Sequence, residues 1–132
     1  MTVLGADTPN GSGARAVARG GDGESCDASV RLNSTAIHGV ATALDARGEP
    51  GTGADPRDGI ARVHARYSAF DPARTTSSGP AELETTTPGG NVSGDPRFYR
   101  DIVWFPYLYW DSPLIDRGDP ADPSRGSRRS SR

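Results

Sequence analysis

The sequence has little from which to build an ordinary interior. Leu, Ile, Val and Phe together make up twenty of 132 residues, about 15%, where an ordered globule usually has at least about 20%. A single large hydrophobic core is therefore excluded. Lysine and glutamine are absent, so all fifteen basic side chains are arginine, a bias that reads as the coding signature of a GC-rich genome rather than as a selected property. Cys26 is the one cysteine, which excludes an intrachain disulfide and a cysteine-based zinc site. No stretch approaches the ~20 apolar residues of a membrane span. The first thirty residues hold no apolar segment of the kind that forms a signal-peptide core, so an export signal of the parent protein is expected outside this chain. The formal charge of −2 argues against a generally basic nucleic-acid binder and against a disordered polyelectrolyte.

What the sequence has in quantity is turn formers. Gly, Pro and Ser supply 41 residues, about 31%, the range of disordered segments or of folds made mostly of turns. Segment 1–24 carries glycines at 5, 11, 13, 20, 21 and 23 with no sustained period, and reads as a flexible lead-in or the remnant of an upstream repeat. From residue 25 the pattern changes. Val30 and Leu32 alternate with Ser29, Arg31 and Asn33, the two-residue period of a half-buried strand. Ile37 and Val40 suit a second short strand; one helix over 36–46 is the alternative, weakened by Gly39 and by the Thr and Val residues. A breaker-rich loop follows over 47–58.

The clearest strand lies in 60–70, where Ala61, Val63, Ala65 and Tyr67 share one face and Arg62, His64 and Arg66 the other. Asp71-Pro72 ends it, because proline lacks the ladder donor. After a Thr/Ser/Gly loop, Ala81, Leu83 and Thr85 repeat the alternation. The recurring unit is a short strand, a polar turn and another short strand, at intervals of roughly 20 to 30 residues, as a β-solenoid requires. A β-sandwich fragment with the same short strands is the structural rival. Seven of the nine aromatic residues fall between 98 and 110, a cluster expected to anchor the end of the fold. The tail 121–132 is polar, rich in Arg and Ser, and expected to be disordered.

The second half carries a recognisable ending. Asp95-Pro96-Arg97-Phe98, then Leu108, then Ser112-Pro113-Leu114-Ile115-Asp116-Arg117-Gly118-Asp119 resembles the closing region of bacterial right-handed parallel β-helix proteins of the pectin-lyase-like superfamily, particularly surface proteins of the choice-of-anchor type. Upstream, Asn33-Ser34-Thr35-Ala36-Ile37-His38-Gly39, Tyr67-Ser68-Ala69-Phe70 and Gly89-Gly90-Asn91-Val92 resemble the coil segments that precede that ending. The resemblance covers about 25–120. It implies an all-β fragment of a right-handed parallel β-helix of about three to four coils with disordered termini: lead-in or coil remnant over 1–24, coils and closing region over 25–120, tail over 121–132. For the parent protein it implies an extracellular or cell-surface location. The implied role is non-catalytic, structural or adhesive, with polysaccharide or cell-surface components and upstream β-helix coils as partners.

The chemistry of the ending fits structural work. Ser112-Pro113 forces an extended entry, Leu114 and Ile115 supply apolar contacts, and Asp116 with Gly118 suits a tight polar turn. Two departures stand out. The family has an acidic, glycine-containing turn where this chain has Ile102-Val103-Trp104-Phe105-Pro106-Tyr107, and beyond Asp119 an Arg/Ser tail replaces a closing segment. These departures lead to the expectation of a truncated or frameshifted C-terminus and a missing N-terminal stack.

Candidate chemistry is sparse. His38 and His64 are the only histidines; no Cys/His/Asp set has metal-ligand spacing, and His64 between two arginines reads as a surface side chain. Ser34 and Ser68 lack a nucleophile elbow. The glycine pairs at 20–21 and 89–90 precede neither a helix nor a lysine and are not phosphate loops. The thirteen Asp residues invite a calcium site. The alternative that the resemblance allows is a remnant of a polysaccharide lyase or glycoside hydrolase of that superfamily; the lyase would use calcium on Asp55, Asp58, Asp71, Asp95 and Asp101 with Arg62 or Arg66 as base, although most of these Asp residues precede Pro or sit in turns with local backbone roles. No cofactor is otherwise expected. Trp104, Tyr107, Tyr109 and Trp110 are candidates for a sugar-stacking platform if exposed; the alternative is that they cap the hydrophobic end of the fold.

Overall fold

The computed structural model describes residues 2–85, 90–99, 107–115 and 117–121. Among them there is no α-helix. The elements are β1 (Thr2–Val17), β2 (Gly21–Asp22), β3 (Ala28–Asn33), β4 (Ala36–Arg47), β5 (Pro56–Arg57), β6 (Ala61–Arg66), a 3-10 turn (Pro72–Arg74), β7 (Thr75–Ser78), β8 (Ala81–Glu84), β9 (Phe98–Tyr99) and β10 (Tyr107–Leu108). The fold is all-β and dominated by two parallel sheets, ordered β1-β4-β7 and β3-β6-β8. Apart from the short β2 and β5, the chain visits these sheets alternately from β1 to β8, adding one strand to each in turn.

Register follows from pattern. Ala28, Ala61 and Ala81 lie in one row, and Val30, Val63 and Leu83 in the next. These residues face inward, where Ala61, Val63 and Ala65 are fully buried. Their neighbours Arg31, His64 and Glu84 form a row on the opposite face. The interior is made largely of alanine, with Leu32, Ile37, Val40, Leu44, Val63 and Phe70 as its larger members. Small side chains let strands from the two sheets approach closely, so a chain poor in large apolar residues still acquires a dry interior.

Three turns repeat where the chain leaves the β3-β6-β8 sheet. Ser34, Tyr67 and Gly90 all have positive φ, at 51°, 47° and 65°. Thr35, Ser68 and Asn91 come next, then Ala36, Ala69 and Val92, which pair in parallel with one another in sequence. The polar members are bonded across the stack. Thr35 N–H donates to Ser68 Oγ (3.2 Å), Ser68 Oγ–H donates to Arg66 O (2.7 Å), and Ser68 N–H donates to Asn91 Oδ1 (3.0 Å). Asn91 Nδ2 then donates to the carbonyls of Ala65 and Thr85, each at 2.7 Å. Buried backbone groups at the turns are thus satisfied by side chains.

Glycine marks close approach. A Cβ on Gly48 would lie 1.9 Å from Pro80 O, and one on Gly59 would lie 2.3 Å from Arg19 O. The outer face of the β1-β4-β7 sheet holds Asp45, whose side chain is 1% exposed. It is met by Arg15 Nε (2.8 Å), Arg47 Nε (2.9 Å) and the Thr76 hydroxyl (2.9 Å).

Two sequence expectations are corrected here, the end of the strand near residue 60 and the loop after it. The strand beginning near residue 60 stops at Arg66 rather than Phe70, because Tyr67 turns left-handed and leaves the alternating face. The Thr/Ser stretch read as a loop contains β7, paired with Leu44–Arg47. The strand expected at Ile37 and Val40 is present and runs on as β4 to Arg47, in place of the alternative helix over 36–46; Ala43, Leu44, Asp45 and Ala46 are all buried because both its faces are covered, which erases the two-residue period. Within 1–24, read as flexible lead-in or repeat remnant, β1 pairs in parallel with β4. The 121–132 tail, Ala121 excepted, lies outside the described residues. No helix among the described residues is long and apolar enough to cross a membrane.

Candidate functional site

The closing segment is fixed by its own motif. Asp95 Oδ1 accepts the N–H of Arg97 (2.9 Å), which has a φ of 52°. Proline between them leaves one fewer backbone donor to satisfy at the turn. Two residues pair on each side in the antiparallel β9–β10 hairpin, and Tyr109 N–H extends it by donating to Arg97 O (3.0 Å). Ser112, only 6% exposed, donates its hydroxyl to Pro96 O (2.6 Å) and accepts the N–H of Leu114 (3.2 Å). Arg97 Nη1 forms an ion pair with the Asp111 carboxylate. Asp119 then ties the segment back to the first repeated turn, accepting from Asn33 Nδ2 (3.0 Å) and donating its own N–H to Ser34 Oγ (2.9 Å).

This anchoring holds two aromatic side chains toward solvent. Trp110 is 88% exposed and Tyr109 44%. They border a cleft of ~310 Å³ whose other walls come from His38, Asp95, Arg97, Phe98 and Asp111. His38 reaches it from β4, where Gly39 has a φ of 71°; the His38 ring lies 6.3 Å from Phe98, tilted by 58°. A second cleft of ~560 Å³ shares His38 and Asp95 and continues toward Asp71 and Arg74. Asp71 caps the 3-10 turn by accepting from Ala73 N–H (2.9 Å), and Arg74 is held by Asp71 (3.4 Å) and the Val40 carbonyl (2.5 Å). Aromatic faces beside carboxylates and a guanidinium can pack on the apolar face of a pyranose while bonding to its hydroxyls.

Of the four stacking candidates, Tyr109 and Trp110 meet at this cleft. Trp104 lies outside the described residues. Tyr107 contributes backbone to β10, and its side chain also lies outside what is described. Trp110 does not cap the interior, since most of its surface faces solvent. His38, Asp95, Arg97 and Asp111 were not singled out together from sequence. Their only signal was the pair of Asp-containing turns around Pro96 and Pro113, which spacing alone assigns to chain reversal.

Of the residues considered for a lyase, Asp71 and Asp95 line one cleft, and Asp55, Asp58, Arg62 and Arg66 are not among its lining residues. Asp58 Oδ1 accepts from Gly51 N–H (2.7 Å) and Asp55 pairs with Arg57 (3.2 Å), while Asp71 and Asp95 serve the turns just described. Asp101 lies outside the described residues. Arg62 bridges Asp27 (3.3 Å) and Glu82 (3.1 Å), and Arg66 lines a separate cleft with His64 and Asp119. The backbone N–H of Ile60 bonded to Asp27 holds that carboxyl below the usual range, with burial opposing and Arg62 assisting. His64 Nδ1 lies 2.6 Å from Glu84 on the outer face of the sheet. Among the described residues, no three His, Cys, Asp or Glu side chains converge so as to hold a metal ion.

Comparison with family models, with curated proteins and with solved structures finds no match to this chain.

Proposed function

We propose that this chain is part of a right-handed parallel β-helix of about three to four coils, belonging to an extracellular or cell-surface protein. Its role is non-catalytic: structural or adhesive display, with carbohydrate contacted through the Tyr109–Trp110 cleft. The alternation of the chain between two parallel sheets supports the architecture, as does the stacking of the three turn segments at Thr35, Ser68 and Asn91. The choice-of-anchor resemblance supplies the surface location. The observation that carries the carbohydrate reading is Trp110, 88% exposed on a hairpin that several bonds hold in place. A large aromatic held in water on an anchored element presents its ring for stacking against a sugar.

Affinity electrophoresis against a cellulose-derived, a mannan-type and a pectin-type polysaccharide tests the reading. Retardation by at least one of them is expected, and Trp110→Ala should abolish it while leaving the unfolding midpoint unchanged. Absence of retardation by all three, and by a chitosan in the same assay, rejects carbohydrate contact. A lowered midpoint in the variant would give Trp110 a packing role instead.

A further inference from the structure

The inference that follows rests on the carbohydrate reading and concerns the charge of the sugar. In the two adjoining clefts the carboxylates are Asp71, Asp95 and Asp111, against the guanidinium groups of Arg74 and Arg97. Both guanidinium groups already hold a carboxylate. Arg97 is engaged by Asp111, and Arg74 by Asp71 and the Val40 carbonyl. Among the described residues Asp95 is left as the excess carboxylate, its Oδ1 taken by the Arg97 N–H, with His38 lining both clefts beside it.

Among the described residues, a uronate brings its carboxylate to a surface whose guanidinium groups are already paired with Asp111 and Asp71. It has to share those partners or sit against Asp95. A protonated amine meets the opposite situation. It gains from the excess carboxylate, and the open face of Trp110 attracts it through the ring quadrupole. We infer that the cleft takes amino-bearing pyranose chains in preference to neutral ones, and neutral ones in preference to polyuronates.

The test uses the full chain and three pentasaccharides, measured by isothermal titration at low salt and pH 7, above the ordinary imidazole range: a β-1,4-linked glucosamine oligomer, cellopentaose and pentagalacturonate. Affinities should fall in that order, with the glucosamine oligomer roughly tenfold tighter than the galacturonate, a gap of the size that a few exposed charge contacts supply. The gap should close as salt is raised, because exposed charges are screened. Asp95→Asn, which keeps an acceptor for the Arg97 N–H, should narrow the glucosamine preference and leave cellopentaose binding in place. Asp111→Asn frees Arg97 and should raise affinity for the galacturonate. A galacturonate that binds as tightly as the glucosamine oligomer overturns the inference, as does cellopentaose binding tightest; in either case the carbohydrate reading stands. Failure of all three oligomers to bind removes the carbohydrate reading itself.

Discussion

Replacing Asp45 by alanine should destabilise the protein in a way that depends on pH. The carboxylate is 1% exposed yet receives Arg15, Arg47 and Thr76 from three directions. Burial alone would raise its pKa; hydrogen bonds from Arg47 and Thr76, with the charges of Arg47 and Arg15, outweigh burial and leave it lowered. A bond to a charged group contributes about 1.5–3 kcal/mol. Against that stands the desolvation of the carboxylate, which the alanine variant no longer incurs. The two arginines are about half exposed, so once released they turn to water and are not stranded. The net loss at pH 7 is therefore about 2 kcal/mol, below the 3–5 kcal/mol of a fully buried pair.

The sign of the pH effect follows from linkage. A carboxyl whose folded pKa is depressed stabilises the fold above its ordinary value of 3.8, and that contribution is lost as pH falls toward the folded value. Urea unfolding of wild type and Asp45→Ala at pH 7 and pH 3 should give a difference that shrinks at the lower pH. Equal differences at both pH values, or a difference under about 0.5 kcal/mol at pH 7, would refute the assignment of Asp45 as the charged centre of that cluster.

Other outcomes follow from the same contacts. Ser68→Ala leaves the buried Thr35 N–H without its acceptor and should cost about 1–3 kcal/mol in chemical unfolding; an unchanged midpoint would mean that the stacked turns do not depend on the side-chain bonds. Gly48→Ala drives a methyl into Pro80 O and should lower the thermal midpoint severely or abolish soluble expression, whereas wild-type behaviour would contradict the close approach of the two segments. Far-ultraviolet circular dichroism of the isolated chain should give a β spectrum; a helical one would contradict the fold.

How much of this was legible depended on which face of each strand meets water. The strands β3, β6 and β8 are covered on one face, so their alternation survives in Val30, Leu32, Val63 and Leu83 and could be read directly. β4 is covered on both faces around Leu44 and Asp45, and its period vanishes there. β7 is Thr-Thr-Ser-Ser and has no hydrophobic signature; its pairing with β4 makes it a strand. The same holds for β1, whose glycines and threonines suggest a flexible segment until β4 offers an edge. At the cleft, Tyr109 and Trp110 stood out by their chemistry. The Arg97–Asp111 pair did not, because a hairpin must form before residues 14 apart can meet.

The repeated left-handed turn has a consequence for how such a chain can change length. Ala36 and Ala69 are 33 positions apart, yet Ala69 and Val92 are only 23 apart, and both pairs sit in the same parallel row. Most of the difference lies in one connection: 13 residues separate β4 from β6, whereas Gly79 and Pro80 alone separate β7 from β8. The repeated turn varies less, with five positions from His64 to Ala69 and eight from their partners Glu84 to Val92. The connection at 48–60 is therefore where one repeat gains length over the next, and the added residues are held by the pairing of β5 with β2.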